Sequence, residues 1–282
     1  MRHLLAVCVV AGLIAAGAAS VQAVAVNGAT ADLDMRTTLT FSNGLQMTFW
    51  PNHGWNGAEG YVYTRVGGVV QQDYHTSGNW PQSGVSASAF TANGAANGST
   101  TVNNVNNPGF DYSMHADAMV QGLGLGDYGL ALGDAYAWPD WLQCIQAGTA
   151  TFAIDYTYTL DTTDTVGCAE AYVYMNAFFA DHARTNYLTA QGDWTLGYGS
   201  NPNTTIVEYY RQIGAGQYLT VTDRVSWNVV IPNTGEPYSW WSTWSYGEAG
   251  VELAPVPEPL TMLGLALGLG SVGAYIRRRI AR

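Results

Sequence analysis

Phe152-Ala153-Ile154-Asp155-Tyr156-Thr157-Tyr158-Thr159-Leu160 is the stretch on which the fold class turns. Phe152, Ile154, Tyr156, Tyr158 and Leu160 are large and apolar or aromatic, whereas Ala153, Asp155, Thr157 and Thr159 between them are small, polar or charged. A period of two sustained in this way describes a strand with one buried and one solvated face. A helix would scatter the same apolar side chains around its circumference.

Further β-rich runs lie at 37–50, 59–70, 112–121, 150–160, 169–179, 204–212, 218–230 and 242–253. Asn43-Gly44, Asn93-Gly94 and Asn233-Thr234-Gly235 fall between or beside them and supply hairpin turn chemistry. Strand follows strand with no convincing amphipathic helix between, although 169–183 reads either as strand or as helix; this argues against a purely parallel α/β design and predicts an all-β, antiparallel sandwich of jelly-roll-like type. Two local expectations accompany this. In 218–230 the Leu219, Val221 face reaches Val225 only through Asp223-Arg224, which predicts a bulge there. In 83–109 Ser, Ala, Gly, Thr and Asn dominate, which predicts a long surface loop or edge excursion.

Both ends of the chain read differently from its middle. Residues 1–23 carry Arg2, an apolar run and a small-residue ending at Ala23, the pattern of a secretory signal peptide. Residues 260–276 form an uncharged apolar segment, just long enough for a single C-terminal transmembrane helix, and Arg277, Arg278 and Arg279 follow it as a cytoplasmic stop signal. The expected organisation is therefore a signal peptide at 1–23, an exported β-sandwich domain at 24–254 and a sorting tail at 255–282.

Charge bounds the partners. The chain has no Lys; of its 10 Arg, five lie in 24–256 against 20 of the 21 acidic residues, a net charge of 5 − 20 = −15 for the exported part. Such a field repels a phosphate backbone, so no nucleic-acid partner is expected.

Val256-Pro257-Glu258-Pro259, then the glycine-rich apolar run, then the Arg cluster, resembles the PEP-CTERM protein-sorting tail of Gram-negative bacteria, a tail also labelled after ice-binding proteins. The resemblance is confined to 256–282. It implies that Pro257, Glu258 and Pro259 are read by exosortase, an integral-membrane protease-transpeptidase. It also implies that the carrier is exported across the inner membrane, held there by its tail until processed, and then belongs to the cell surface or extracellular polysaccharide matrix. The physics agrees, because two prolines keep the motif out of helix and sheet and leave it extended beside the bilayer.

Within the exported part, Cys144 and Cys168 are an even pair in an oxidising compartment and are the expected disulfide. Ten Trp and 18 Tyr are the most informative composition, since flat rings cover the C–H face of a sugar while neighbouring Asp, Asn and Gln bind its hydroxyls. Trp240, Trp241 and Trp244 cluster and are the candidate glycan platform; in a strand the adjacent pair points to opposite faces, so one of them is expected in the core. Asp155, Glu170 and Glu208 sit in strand candidates and are the acids a polysaccharide-active glycoside hydrolase or lyase would draw on. No catalytic motif accompanies them, so a non-catalytic binding or structural role is the leading expectation. His53, His75, His115 and His182 are isolated in sequence, so no metal site is assigned. Calcium is the one cofactor weighed, on the oxygen donors of Asp32-Leu33-Asp34, Asp161-Thr162-Thr163-Asp164 and Gly133-Asp134. A flat Thr-x-Thr ice-binding face has only Thr157/Thr159 and Thr220/Thr222 in its favour.

Overall fold

The strand that contains Phe152–Leu160 has the predicted two faces, with Phe152, Ile154, Tyr156, Tyr158 and Leu160 buried and Asp155, Thr157 and Thr159 half-buried, except that Ala153, expected on the solvated face, is buried as well. In the computed structural model, which describes residues 28–42, 44–49, 54–79, 83–104, 109–124, 126–139, 142–165, 168–181, 188–198, 205–232 and 239–254, it is one of fifteen strands. They are β1 (Ala29–Ser42), β2 (Gln46–Phe49), β3 (Trp55–Val66), β4 (Val69–Asn79), β5 (Val85–Thr91), β6 (Gly94–Asn104), β7 (Gly109–Val120), β8 (Tyr128–Trp138), β9 (Leu142–Gln146), β10 (Gly148–Asp161), β11 (Cys168–Asp181), β12 (Thr195–Tyr198), β13 (Thr205–Gly214), β14 (Tyr218–Ile231) and β15 (Ser239–Ala254). The described residues contain no helix, and hence none long and apolar enough to cross a membrane. The signal peptide at 1–23 and the tail at 255–282 lie outside the described residues.

The strands form two antiparallel sheets. One has the order β14-β10-β1-β7-β6-β5; the other, of nine strands, has the order β12-β13-β11-β15-β8-β3-β4, with β9 pairing both β15 and β2. The sheets lie face to face. β10 and β1 pack on β11, β1 and β7 on β15, β7 and β6 on β8, β6 and β5 on β3, and β5 on β4. The fold is therefore all-β, antiparallel and sandwich-like, and a single apolar cluster fills the space between the layers.

That space is built in two ways. At one end it is aromatic: Phe152 lies against Phe179 and Trp227, Phe179 stacks on Trp241 at 4.9 Å, and Tyr156, Tyr158, Trp194 and Tyr209 pack together. The Tyr158 and Tyr209 hydroxyls satisfy one another at 2.7 Å inside this cluster. At the other end the sheets meet through Gly and Ala. A Cβ on Gly98 would strike the carbonyl oxygens of Asp134 and Glu59, one on Gly133 those of Asn97 and Asp117, and one on Gly60 that of Ala96. The backbones touch there, and no larger residue fits.

This close approach corrects the reading of 83–109. The segment contains the hairpin β5–β6, turning at Ala92-Asn93, with β5 at the edge of its sheet. Its Ser, Ala, Gly and Asn have low β-propensity, but they are the residues that two touching backbones require. The bulge expected at Asp223-Arg224 is also absent. β14 keeps one register on β10 from Tyr218 to Ile231, and because β14 is an edge strand the inward Asp223 remains exposed rather than buried. β4, β8, β9 and β12 are strands the sequence reading did not assign.

The expected disulfide is not formed. Cys144 on β9 pairs with Ser239 at the start of β15, whereas Cys168 on β11 pairs with Ala254 at its end. Those positions are the two ends of a 16-residue strand, so the cysteines stand on the order of 50 Å apart at ~3.3 Å per residue. A disulfide needs Cα atoms within about 7 Å.

Candidate functional site

On the outward face of the nine-stranded sheet the usual distribution of side chains is inverted. β8 buries Gly129, Ala131, Gly133, Ala135 and Ala137, and turns Tyr128, Leu130, Leu132, Asp134, Tyr136 and Trp138 outward. β3 turns out Trp55, Glu59, Tyr61 and Tyr63 while burying Ala58, Gly60 and Val62. β15 turns out Trp244, Tyr246 and Glu248. Burial alone would place the rings inside and the small residues outside.

Three carboxylates stand abreast in the middle of this face. Glu59 pairs directly with Asp134, and Asp134 with Glu248, so β3, β8 and β15 each contribute one acid to a single cross-strand row at an inter-strand spacing of about 4.8 Å. The outer two are held by phenols. Tyr74 Oη donates to Glu59 Oε2 at 2.9 Å, Tyr172 Oη donates to Glu248 Oε1 at 2.7 Å, and Tyr246 Oη donates to Glu248 Oε2. Tyr246 Oη is also 3.5 Å from Asp134 Oδ2. With the phenol hydrogen directed at Glu248, that contact is best made by a protonated Asp134. Burial first, then the negative charges of Glu59 and Glu248, push the Asp134 carboxyl up to about 7. Burial and the Glu248 charge likewise push the Tyr172 and Tyr246 phenols up, so both remain donors.

Rings surround the row. Tyr136 stacks on Trp244 at 5.2 Å, Trp244 lies nearly parallel to Tyr246 at 6.3 Å, and Trp138 meets Trp244 edge-on at 5.9 Å. Trp244 Nε1 donates to Asn176 Oδ1 at 2.6 Å, which fixes the indole. Glycines on neighbouring strands make room for three of the rings: a Cβ on Gly57 would coincide with the Tyr136 ring, one on Gly250 with the Tyr172 ring and one on Gly78 with the Trp55 ring. Each ring therefore leans across the adjacent strand and lies low on the sheet.

Of the residues singled out in the sequence, Trp244 belongs to this face. Trp241 does not: it is 2% exposed and stacked on Phe179 in the core, because consecutive strand residues alternate faces. Trp240 lies on β15, with its side chain outside the described residues. Glu170 and Glu208 share the outer face but pair with Glu252 and Asn176, away from the central row, and Glu208 accepts from Tyr174 Oη at 2.9 Å. Asp155 is on the other sheet, bound to Arg224 at 3.0 Å, so these three acids do not converge on one substrate. Pro257, Glu258, Pro259, Arg277, Arg278, Arg279, His53 and His182 lie outside the described residues.

The outward face of the six-stranded sheet is a contrast, because most of its acids have a cationic partner. Arg36 holds Asp111 through two bonds of 2.9 and 2.6 Å, which draws the Asp111 carboxyl below its usual range. Asp32, Asp34 and His115 bring ligand atoms within 4.8 Å of one another. However, His115 Nδ1 lies 2.9 Å from Asp34 and Nε2 2.9 Å from Asp117. The Asp117 bond, with support from Asp34, pushes the imidazole up to about 9. At neutral pH it is an imidazolium with both N–H groups engaged, so the positive charge among these acids is its own. Of the remaining oxygen sets considered for calcium, Asp161 Oδ1 is used in its own turn, accepting from Thr163 N at 2.9 Å and Thr163 Oγ1 at 2.7 Å. Thr157 meets Thr222 at 3.0 Å and Thr159 meets Thr220 at 3.2 Å. On the next strand the partners of Thr157 and Thr159 are Asp34 and Asp32, so the Thr lattice stops after two strands.

The row Glu59–Asp134–Glu248 was not found in the sequence, because its members are far apart and Asp134 lies in a run whose large residues face outward. The alternation from Tyr128 to Trp138 was the available signal. Comparison with protein-family models, with curated proteins and with solved structures finds no match to this chain.

Proposed function

We propose that the chain is an exported, non-catalytic carbohydrate-binding protein whose jelly-roll-like sandwich presents the outward face of its nine-stranded sheet to a polysaccharide. The observation that carries this reading is the inversion on β3, β8 and β15, where aromatic rings occupy the solvent side and Gly and Ala the core side. The aromatic area left in water gains its free energy by meeting an apolar partner. A sugar's C–H face is such a partner, and the carboxylates and phenols beside the rings bind hydroxyls. The signal-like segment at 1–23 and the PEP-CTERM-like tail at 255–282 support a location in the envelope or polysaccharide matrix of a Gram-negative bacterium, with exosortase as the partner that reads Pro257-Glu258-Pro259.

Titration of the purified protein against a panel of soluble polysaccharides tests the binding reading. Trp244→Ala is expected to weaken binding about tenfold, the equivalent of ~1.4 kcal/mol for a lost ring contact. Binding unaffected by Trp244→Ala, or no binding to any polysaccharide, overturns it. Mass determination of the chain from cells with and without exosortase tests the tail: loss of the terminal segment only in the former is expected.

One observation favours a second reading, a glycoside hydrolase or lyase. Asp134 holds its proton near neutrality between two carboxylates on directly paired positions, and an acid beside a carboxylate is the pair that a retaining mechanism uses. New reducing ends or unsaturated products, lost in Asp134→Asn, would establish it.

A further inference from the structure

The two outer faces treat their acids in opposite ways. On the six-stranded sheet Asp111 has Arg36, Asp155 has Arg224, and Asp34 and Asp117 share His115. On the nine-stranded sheet the charged side chains acting on Asp134 are both carboxylates, Glu59 from β3 and Glu248 from β15. The other titratable groups around it are phenols, Tyr246 from β15, Tyr136 two residues along β8 and Tyr74 from β4; Leu132 also flanks it along β8, and Gly98 of β6 approaches its backbone from beneath. Arg65 is on β3 but six residues from Glu59, roughly 20 Å along the strand. Among the described residues, Arg36, Arg224 and His115 are paired with acids on the one face, whereas Glu59, Asp134 and Glu248 stand in line on the other among aromatic rings with no salt bridge to any of them.

Resting on the glycan reading, we infer that the ligand is a polysaccharide bearing free amino groups, an extended hexosaminoglycan from which acetyl groups have been removed, lying across β3, β8 and β15 with its ammonium groups on Glu59, Asp134 and Glu248. The inter-strand spacing is close to the rise of an extended β-linked pyranose chain, so successive rings meet successive strands. Tyr136, Trp244 and Tyr246 receive the ring faces, and an ammonium beside them adds cation–π attraction. Acidic polysaccharides are repelled by the same row. An ammonium at Asp134 favours its ionised form, so binding below neutral pH expels a proton from that carboxyl into solvent.

The test is calorimetric titration of the full chain at pH 5, where the sugar amines are already protonated and take up no proton on binding, with a chitosan oligosaccharide, its fully N-acetylated counterpart of equal length, and oligolysine of equal charge, each in two buffers of different ionisation enthalpy. The amine-bearing sugar is expected to bind at least about tenfold more tightly than the acetylated one, with the difference shrinking as salt is added. Proton release should accompany it and vanish in Asp134→Asn. Glu248→Gln should weaken the amine-bearing sugar severalfold more than the acetylated one, whose hydroxyls lose only a neutral contact, whereas Asp193→Asn, which removes the same charge from an exposed turn, should change neither. Trp244→Ala should weaken both sugars but not oligolysine. Equal or tighter binding of the acetylated sugar, or oligolysine matching chitosan with the same dependence on Trp244, overturns the amine preference while the glycan reading stands. Failure of both sugars to bind overturns the glycan reading itself.

Discussion

Asp134→Asn should stabilise the protein in a pH-dependent way. The carboxyl moves from 3.8 to about 7 on folding, a difference that would amount to ~4 kcal/mol at about 1.4 kcal/mol per unit if the group were sealed from water. It is partly exposed, and screening reduces this to about 2–3 kcal/mol. The sign follows from linkage. A folded pKa above the unfolded one means that the folded state holds the proton more tightly, so stability falls as pH rises from about 4 through 7 and is level above that. An amide of the same shape carries no such penalty and can still donate to Tyr246 Oη. The variant should therefore be more stable than the wild type by about 2–3 kcal/mol at pH 8 and by only about 1 kcal/mol at pH 5. Urea unfolding followed by tryptophan fluorescence at both pH values, with unchanged m, measures it. A variant no more stable than wild type at pH 8, or equally favoured at both pH values, would refute the placement of Asp134 between two uncompensated acids. A gain would mark the row as a place where stability is given up for binding.

Other outcomes follow from the core and from the opposite face. Tyr158→Phe strands the Tyr209 hydroxyl in the aromatic cluster, and chemical denaturation should show a loss of about 1–3 kcal/mol. Gly98→Ala drives a methyl into the Asp134 and Glu59 carbonyls; thermal melts should show a loss of about 3 kcal/mol or a failure to accumulate folded protein. The His115 imidazole is raised to about 9, so its contribution is complete below about 6.5 and is lost as pH rises through 9; His115→Gln should flatten that alkaline limb of the stability curve. Reduction with dithiothreitol should leave Tm unchanged, since no bond joins Cys144 to Cys168, and a fall of several degrees on reduction would contradict the strand register that separates them.

The sequence was legible wherever large residues face the core. Phe152–Leu160 announces β10 because the buried face carries the bulk, and the same holds for 112–121. The sequence was misread where the layers touch. β5 and β6 carry Gly and Ala inward and mostly small or polar residues outward, a pattern that resembles a loop, whereas β8 carries Gly and Ala inward and its bulk on the outer face. The Trp cluster shows the same division at one residue's resolution: alternation along a strand sends Trp241 inward and Trp244 outward, but only the packed sheets show which face is which.

By itself the amino-acid order determined the all-β class, the antiparallel layering and the expectation of an exported, acidic domain between two apolar ends. Periodicity and net charge are local or additive properties, and they survive being read one residue at a time. Tertiary structure alone decided that Glu59, Asp134 and Glu248 form a row, that Asp155 is remote from Glu170 and Glu208, and that the two cysteines are far apart. Strand order and register are set by how whole faces pack, and no spacing along the chain encodes which strands become neighbours.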